Sequence, residues 1–290
     1  MTILLNATSG ISGLDGTAAV PAYQGTDADT GIFFPATGAI AISTNGVERS
    51  RTESNGNTGF GVASPQATVS IKAGTASVAP INIAAGVVLT SAATGTIEFG
   101  SPSANPIFMG TPNASQRGVI PTAQFFSLNA VRTGPTAATT FSIFGVGCNL
   151  TAAVRYAYEI YFSTAKTSAN AAAIQYALAV TSGTLTSHQY TVTSNTAALA
   201  LTPAAANQMG NNISTGFSTL VTVSAASAAA ASSHNVLIKG IIDVATDVVG
   251  LNPQFAYSAV PTTSTIIQGS YMLIYPISVT GANTNVGTWA

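Results

Sequence analysis

The sequence predicts an all-β protein, in which an N-terminal β-meander stem or arm is followed by a C-terminal antiparallel β-sandwich of jelly-roll type. Three observations carry that expectation. Apolar residues alternate with a period of two in several segments of the second half, turn-forming residues punctuate the chain at short intervals, and residues 10–121 nowhere sustain an apolar spacing near 3.6.

The alternation is plainest over residues 155–162. There Tyr156, Tyr158, Ile160 and Phe162 share one face, and Arg155, Ala157, Glu159 and Tyr161 share the other. The pattern recurs in Ile174, Tyr176, Leu178 and Val180, in Phe217, Thr219, Val221 and Val223, and in Val236, Ile238 and Ile242. It returns in Tyr271, Leu273 and Tyr275. Strands near residues 140–148, 188–193 and 254–258 bring the number to about eight, joined by Gly, Asn, Ser or Pro turns, which suits a two-sheet sandwich. Two alanine-rich stretches, 224–232 and 196–212, read as connections. The first is too short for a stable helix, and Pro203 and Gly210 limit any helix in the second.

In the first half, Ile32-Phe33-Phe34-Pro35 and residues 39–43 read as two short strands separated by Ala36-Thr37-Gly38. Thr44-Asn45-Gly46-Val47 carries the Asn-Gly signal of a tight hairpin, and Ser54-Asn55-Gly56-Asn57 a second turn, so residues 47–53 form a strand between them. A meander this small cannot bury enough apolar area to offset its ordering entropy, and its open edges invite further pairing. It is therefore expected to be completed by identical copies around a three-fold axis, as a homotrimer. Pro102, Pro106, Pro112 and Pro121 mark the boundary, giving an N-terminal part of residues 1–121 and a head of residues 122–290.

Composition narrows the function. Charged residues make up 6% of the chain, with Lys+Arg 8 and Asp+Glu 9, against about 25% charged in an ordinary soluble domain. No basic stripe exists to displace counterions from a phosphate backbone, so no nucleic-acid partner is expected. The most apolar stretch, residues 79–93, is interrupted by Pro80, Asn82, Gly86 and Thr90 and is too short for a membrane span. The first residues carry no positive leader, and no cleaved export signal is read there. Few charges leave little self-repulsion between copies, which suits a chain packed in an assembly.

Candidate chemistry is sparse, and the expectation is a protein that is not an enzyme, with no catalytic, cofactor-binding or metal site. Cys148, the sole cysteine, sits in an apolar run and reads as a small buried hydrophobe. His188 and His234 have no ligand-type residue at metal spacing. Asp27 and Asp29, with Asp15 nearby, have the alternate spacing of a calcium loop but lack its closing Glu, so turn capping is the better reading. Asp243 and Asp247 read as turn and rim carboxylates rather than a glycosidase acid pair. Gly59-Phe60-Gly61 is a fragment of a dinucleotide fingerprint with no βαβ unit around it. Glu48, Arg49, Arg51 and Glu53 read as cross-strand ion pairs on the hairpin.

Three runs agree in their turn and apolar positions: residues 25–36 (Gly25-Thr26-Asp27-Ala28-Asp29-Thr30-Gly31-Ile32-Phe33-Phe34-Pro35-Ala36), residues 40–49 ending in Asn45-Gly46-Val47-Glu48-Arg49, and residues 53–65 containing Ser54-Asn55-Gly56-Asn57 and Ser64-Pro65. Together they resemble the repeat of phage tail-fibre and related virion proteins. Phe60 stands where an aliphatic residue is usual, and Ser50 where an apolar residue commonly follows the Glu-Arg pair. The second half is similar, through Tyr156-Ala157-Tyr158-Glu159 and the ending from Gly269-Ser270-Tyr271 to Gly287-Thr288-Trp289-Ala290, to the globular domains of short phage fibre and decoration proteins. The resemblance implies a trimer with a β-stem and a jelly-roll head on the outer surface of a virion. Its partners would be the major capsid protein or tail proteins. Two roles follow from it: a capsid decoration (cement) protein, or a short tail fibre whose Tyr257, Tyr271, Tyr275 and Trp289 stack on a host surface glycan. A glycan-cleaving tailspike is disfavoured for want of an acid pair.

Overall fold

A computed structural model describes residues 4–6, 10–91, 93–100, 106–113, 116–167, 170–194, 208–214, 219–224, 226 and 232–280. These residues form strands, turns and extended segments, and no helix occurs among them. The protein is all-β, as the alternation predicts.

Contacts divide the chain into two compact units, Met1–Asn82 and Ile83–Ala290. The division falls ahead of the residue-121 boundary expected from the prolines. Of those prolines, Pro106 stands just before a strand and Pro112 lies within one, while Pro102 lies outside the described residues.

In the first unit, β1 (Leu4–Asn6) and β2 (Gly10–Ser12) pair as a two-stranded ribbon. A six-stranded sheet follows in chain order: β3 (Tyr23–Gln24), β4 (Gly31–Phe33), β5 (Ile40–Thr44), β6 (Val47–Thr52), β7 (Thr58–Phe60) and β8 (Val69–Ile71). Neighbours run antiparallel except β7 and β8, which are parallel. The Asn-Gly signal is realised as expected. Asn45 (φ 49°) and Gly46 (φ 67°) are both left-handed, the geometry that lets a two-residue turn follow the twist of β5 and β6.

The two faces of this sheet differ. Phe33, Ala39 and Ala41 are buried on one side, with Ser43 and Gly59. On the other side, the paired residues Tyr23, Ile32, Ile42, Ser50, Phe60 and Ile71 line up across all six strands, and every apolar member of that row is exposed.

The second unit opens with a three-stranded antiparallel sheet of β9 (Ile97–Gly100), β10 (Ile107–Asn113) and β11 (Gln116–Val119), where Phe99 stacks on Phe108 with ring centroids 4.5 Å apart. Its main body is a twelve-stranded antiparallel assembly. The strands are β12 (Gln124–Ser127), β13 (Arg132–Thr133), β14 (Phe141–Ser142), β15 (Cys148–Leu150), β16 (Val154–Lys166) and β17 (Ile174–Ala179). They continue with β18 (Ser182–Ser194), β19 (Gln208–Ser214), β20 (Val221–Thr222), β21 (Ser232–Tyr257), β22 (Ser264–Ile266) and β23 (Tyr271–Val279).

Strand β21 organises the unit. The segments expected as two strands, 236–242 and 254–258, belong to this one strand of 26 residues. Its first half lies between β16 and β18, and its second half lies between β14 and β17. Gly250, at φ 66°, provides the bend that lets the strand pass from one layer to the other. The core forms where the layers face each other. The ring of Phe255 on the second half lies 5.6 Å from that of Phe162 on β16, and Ile160, Ile174, Tyr176, Val236, Ile238 and Ile242 are fully buried around them. Each such side chain contributes roughly 1.5–3 kcal/mol by burial.

The alternation of β16 is realised throughout, with Tyr156, Tyr158, Ile160 and Phe162 inward. Strand β23 reverses the expectation. Met272 and Ile274 are buried, as is Val279 at its end, while Tyr271, Leu273 and Tyr275 occupy the outer face, since pairing with β16 puts Tyr271 beside Tyr161 and Ile274 beside Tyr158. The expected strand 140–148 is broken into β14 and β15. Ile143 and Phe144 turn into the core between them, and Arg132 donates to the Ser142 and Ile143 carbonyls at the bend while stacking over Phe141 at 4.6 Å. Of the 217–223 segment, Val221 and Thr222 are strand; Phe217 lies outside the described residues. The 196–212 connection contains the start of β19, and its residues 196–207 lie outside the described set, as does most of 224–232.

Candidate functional site

The second unit gathers its polar side chains in two places, one inside the core and one on the outer face of the β23–β16–β21–β18 sheet. Inside, Tyr158 on β16 reaches across β21 to His188 on β18, and its hydroxyl lies 2.6 Å from Nε2. Gly240 makes this contact possible. A Cβ there would come within 2.6 Å of both the Tyr158 ring and the Gln189 carbonyl, so only glycine leaves room for the phenol. His188 stacks on Tyr190 at 4.6 Å, and Tyr190 meets Tyr176 edge-on at 5.6 Å. Burial pushes His188 down to about 4 and raises Tyr158. Near pH 7 the imidazole is therefore neutral, and the Tyr158–His188 pair acts as a structural hydrogen bond between strands.

His234 is buried at the start of β21, and neither ring nitrogen has a hydrogen-bond partner among the described residues. Burial, and then the charge of Lys166, hold its pKa below the usual histidine value. Lys166 is itself buried, with its ammonium 3.0 Å from the Asn170 carbonyl, and burial lowers its pKa.

On the outer face, Arg155 grips Asp243 through two hydrogen bonds of 2.6 and 2.9 Å, and Ser187 donates to the same carboxylate at 2.9 Å. Lys239 pairs with Glu159 at 2.7 Å, and the Tyr271 hydroxyl donates to that carboxylate as well. Arg155 holds Asp243 below the usual carboxylate range, and Lys239 does the same for Glu159. Asp243 thus lies in mid-strand within an ion pair, whereas a place at a strand end was expected. Asp247 accepts the Ala152 amide at 2.7 Å and caps the turn before β16. The two carboxylates serve different partners.

In the first unit, Arg51 bridges Glu48 at 2.6 Å and Glu53 at 2.7 Å, all three on β6 or its end, while Arg49 donates to the Thr44 hydroxyl at 2.7 Å. The expected cross-strand pairs are therefore pairs along one strand. A bulge between the Ser43–Glu48 and Ile42–Ser50 pairs inserts Arg49 and brings Glu48 to the face of Arg51. Thr30 donates to Asp27 at 2.8 Å and lowers its pKa, and the hydrogen bond with Asp27 raises that of Asp29. This is the geometry of a capped turn. Asp15 meets Phe34 through its backbone carbonyl. Among the described residues no group of three His, Cys, Asp or Glu side chains could hold a metal ion. Gly59 lies in β7, where an added Cβ would fall 2.2 Å from the Val62 carbonyl; its glycine serves packing.

Cys148 lines a groove of about 480 Å³ together with Phe125, Phe126, Phe144, Val146 and Met272. Burial raises its thiol to about 11, which leaves it protonated and a poor nucleophile. Phe125 and Phe126 belong to a strand outside those expected from the alternation, although Gln124-Phe125-Phe126-Ser127 lies shortly after Pro121 and has strand character. Of the aromatic residues considered for sugar stacking, Tyr257 is fully buried and bonded to Thr164 at 2.7 Å, so it is a core residue. Tyr271 and Tyr275 lie on the outer face, and Trp289 lies outside the described residues. Among the described residues, no helix is long and apolar enough to cross a membrane.

No protein-family model and no curated protein matches this chain. Among solved structures it is similar to that of the infectious bursal disease virus Gx strain at 9% identity, over 63% of this chain and 45% of that one, with a TM-score of 0.14. A mutant VP2 protein of infectious bursal disease virus in T=1 particles matches at 10% identity over 64% of this chain and 51% of that one, with a TM-score of 0.13. The chain spans about half the length of these two viral chains. Likenesses of this size do not define a shared fold.

Proposed function

We propose that the chain is a non-enzymatic structural protein of a phage particle, a homotrimeric decoration protein with a jelly-roll-type head that stabilises the assembled shell. The observation that carries this reading is where the few ionisable groups go. Glu48, Glu53, Glu98, Glu159 and Asp243 are each in an ion pair with Arg or Lys, and both histidines are buried with depressed pKa values. Most of the carboxylates are thus engaged in internal ties, and with charged residues only 6% of the chain the exterior is poor in charge and rich in hydroxyl groups, as suits a chain packed against other subunits. The tail-fibre-type repeat over residues 25–65 supports the same reading. A protein that binds only the assembled shell stabilises it by mass action.

Electron microscopy of purified particles tests the proposal. Hundreds of copies on the shell, and a shell that melts at lower temperature without them, are the expected results. A few dozen copies or fewer confined to the tail would replace decoration by adhesion. Hydrolysis of host polysaccharide by the purified protein would overturn the non-enzymatic reading.

One observation favours the second role, a short fibre that binds a surface glycan. A hollow of about 440 Å³ on the outer face is lined by Ala157, Tyr275, Gln189, Thr191 and the Glu159–Lys239 pair. An aromatic face beside such polar groups suits a sugar ring.

A further inference from the structure

We infer that the exposed row on the N-terminal sheet is a self-association surface, covered by sister copies of this chain. The inference rests on the assembled-protein reading above and names the surface that does the assembling. Register carries it first. Tyr23 pairs with Ile32, Ile32 with Ile42, Ile42 with Ser50, Ser50 with Phe60, and Phe60 with Ile71, so the six residues form one line across the whole sheet. A second line on the same face runs through Ile40, Thr52, Thr58 and Val69, and Val47 extends the face beside the hairpin turn. The eight large apolar residues of this face are between 37% and 56% exposed.

Area says how large a partner the face needs. The eight residues leave roughly 700 Å² in water, more than the largest patch of about 300–600 Å² on a typical monomer. It is close to the about 800 Å² that each partner contributes to a stable interface.

Charge says what kind of partner. The Arg51–Glu48–Glu53 cluster stands on the opposite side, because Arg51 pairs with the buried residues Ala41 and Gly59. The apolar lines hold only hydroxyl groups besides, and Arg49 at their border is turned onto the Thr44 hydroxyl at 2.7 Å, so the complementary surface is apolar with few charges. Another copy of this sheet supplies such a surface, and sheets pack face to face about 10 Å apart. Three copies with this face turned inward enclose one shared apolar core and leave the charged sides in water.

The test is the mass of the full chain in solution, by sedimentation equilibrium at micromolar concentration. The wild-type chain is expected to sediment as a trimer. Ile42→Asp is expected to lower the mass three-fold, to the monomer, while Ile42→Val and Thr37→Asp, the latter in an exposed turn away from the row, keep the trimer. Val69→Asp, on the outer strand, provides a second break, and limited proteolysis shows whether each variant retains a folded N-terminal unit. A monomeric wild-type chain overturns the inference. So does a folded Ile42→Asp or Val69→Asp chain that keeps the wild-type mass, and so does a Thr37→Asp chain that dissociates equally. The particle reading fails separately, if the chain is absent from purified virions while Ile42→Asp still breaks the trimer.

Discussion

The two units bury apolar surface in different ways. Around β21 the core closes within one chain: Phe162 from one layer meets Phe255 from the other, and neither reaches water. The six-stranded sheet closes one face with Phe33 and Ala41 and leaves Ile42 and Phe60 uncovered on the other. Both sheets are built from alternating strands, so alternation alone does not make a closed core. A second layer must cover each apolar face, and the first unit is too short to supply two.

The largest test of that contrast is a pair of matched truncations. Phe162→Ala is expected to cost about 3–5 kcal/mol through the cavity it leaves. Phe60→Ala in the dilute, dissociated chain should change stability by within about 0.5 kcal/mol, since its site is already wet. Urea unfolding of both variants, followed by circular dichroism, measures the difference. Equal losses would mean that the exposed row has a covering inside the single chain.

Acid sensitivity should also separate the units, because both histidines lie in the second. Burial holds the folded-state pKa of His188 at about 4, below the unfolded value of 6.5. The unfolded chain therefore binds the proton first. The resulting stability is present above pH 6.5 and is lost as pH falls from there toward 4, by about 3 kcal/mol from this residue. His234, also depressed, adds loss of the same sign. The salt-bridged carboxylates Asp243 and Glu159 stabilise the fold at neutral pH, and that contribution is lost only as pH falls through their unfolded values of 3.8 and 4.5 toward their depressed folded ones. Unfolding curves at pH 7 and pH 5 for wild type and His188→Gln check this, and the variant should show the flatter dependence.

A smaller effect sharpens the account of the closed core. Gly240→Ala should cost about 1–3 kcal/mol, because the new methyl must displace the Tyr158 ring or the Gln189 carbonyl. Thermal unfolding measures it, and adding Tyr158→Phe should leave most of the loss in place, since the ring causes the clash. The smallest expected effect is Arg51→Gln, worth about 1 kcal/mol or less, because its ion pairs lie near the surface of the first unit. Denaturation at low and high salt should show the wild-type advantage shrinking with added salt.

Much of this architecture was legible in local chemistry. The all-β class, the inward set of Tyr156, Tyr158, Ile160 and Phe162, and the Asn45-Gly46 hairpin each depend on neighbours within a few residues, which is the range over which side-chain alternation and turn geometry act. The contact between Tyr158 and His188 was not legible, because the two are 30 residues apart and meet only through the space above Gly240.

What the sequence determined by itself, then, is that the strands exist and have two unlike faces. Which face turns inward was decided by pairing. Tyr271, Leu273 and Tyr275 alternate as regularly as Met272 and Ile274, and only the register with β16 buries the second set. The bulge at Arg49 moved Glu48 to the side of Arg51, and the bend at Gly250 let one strand serve two layers. A period of two defines a pair of faces, and the strands brought alongside from distant parts of the chain choose between them.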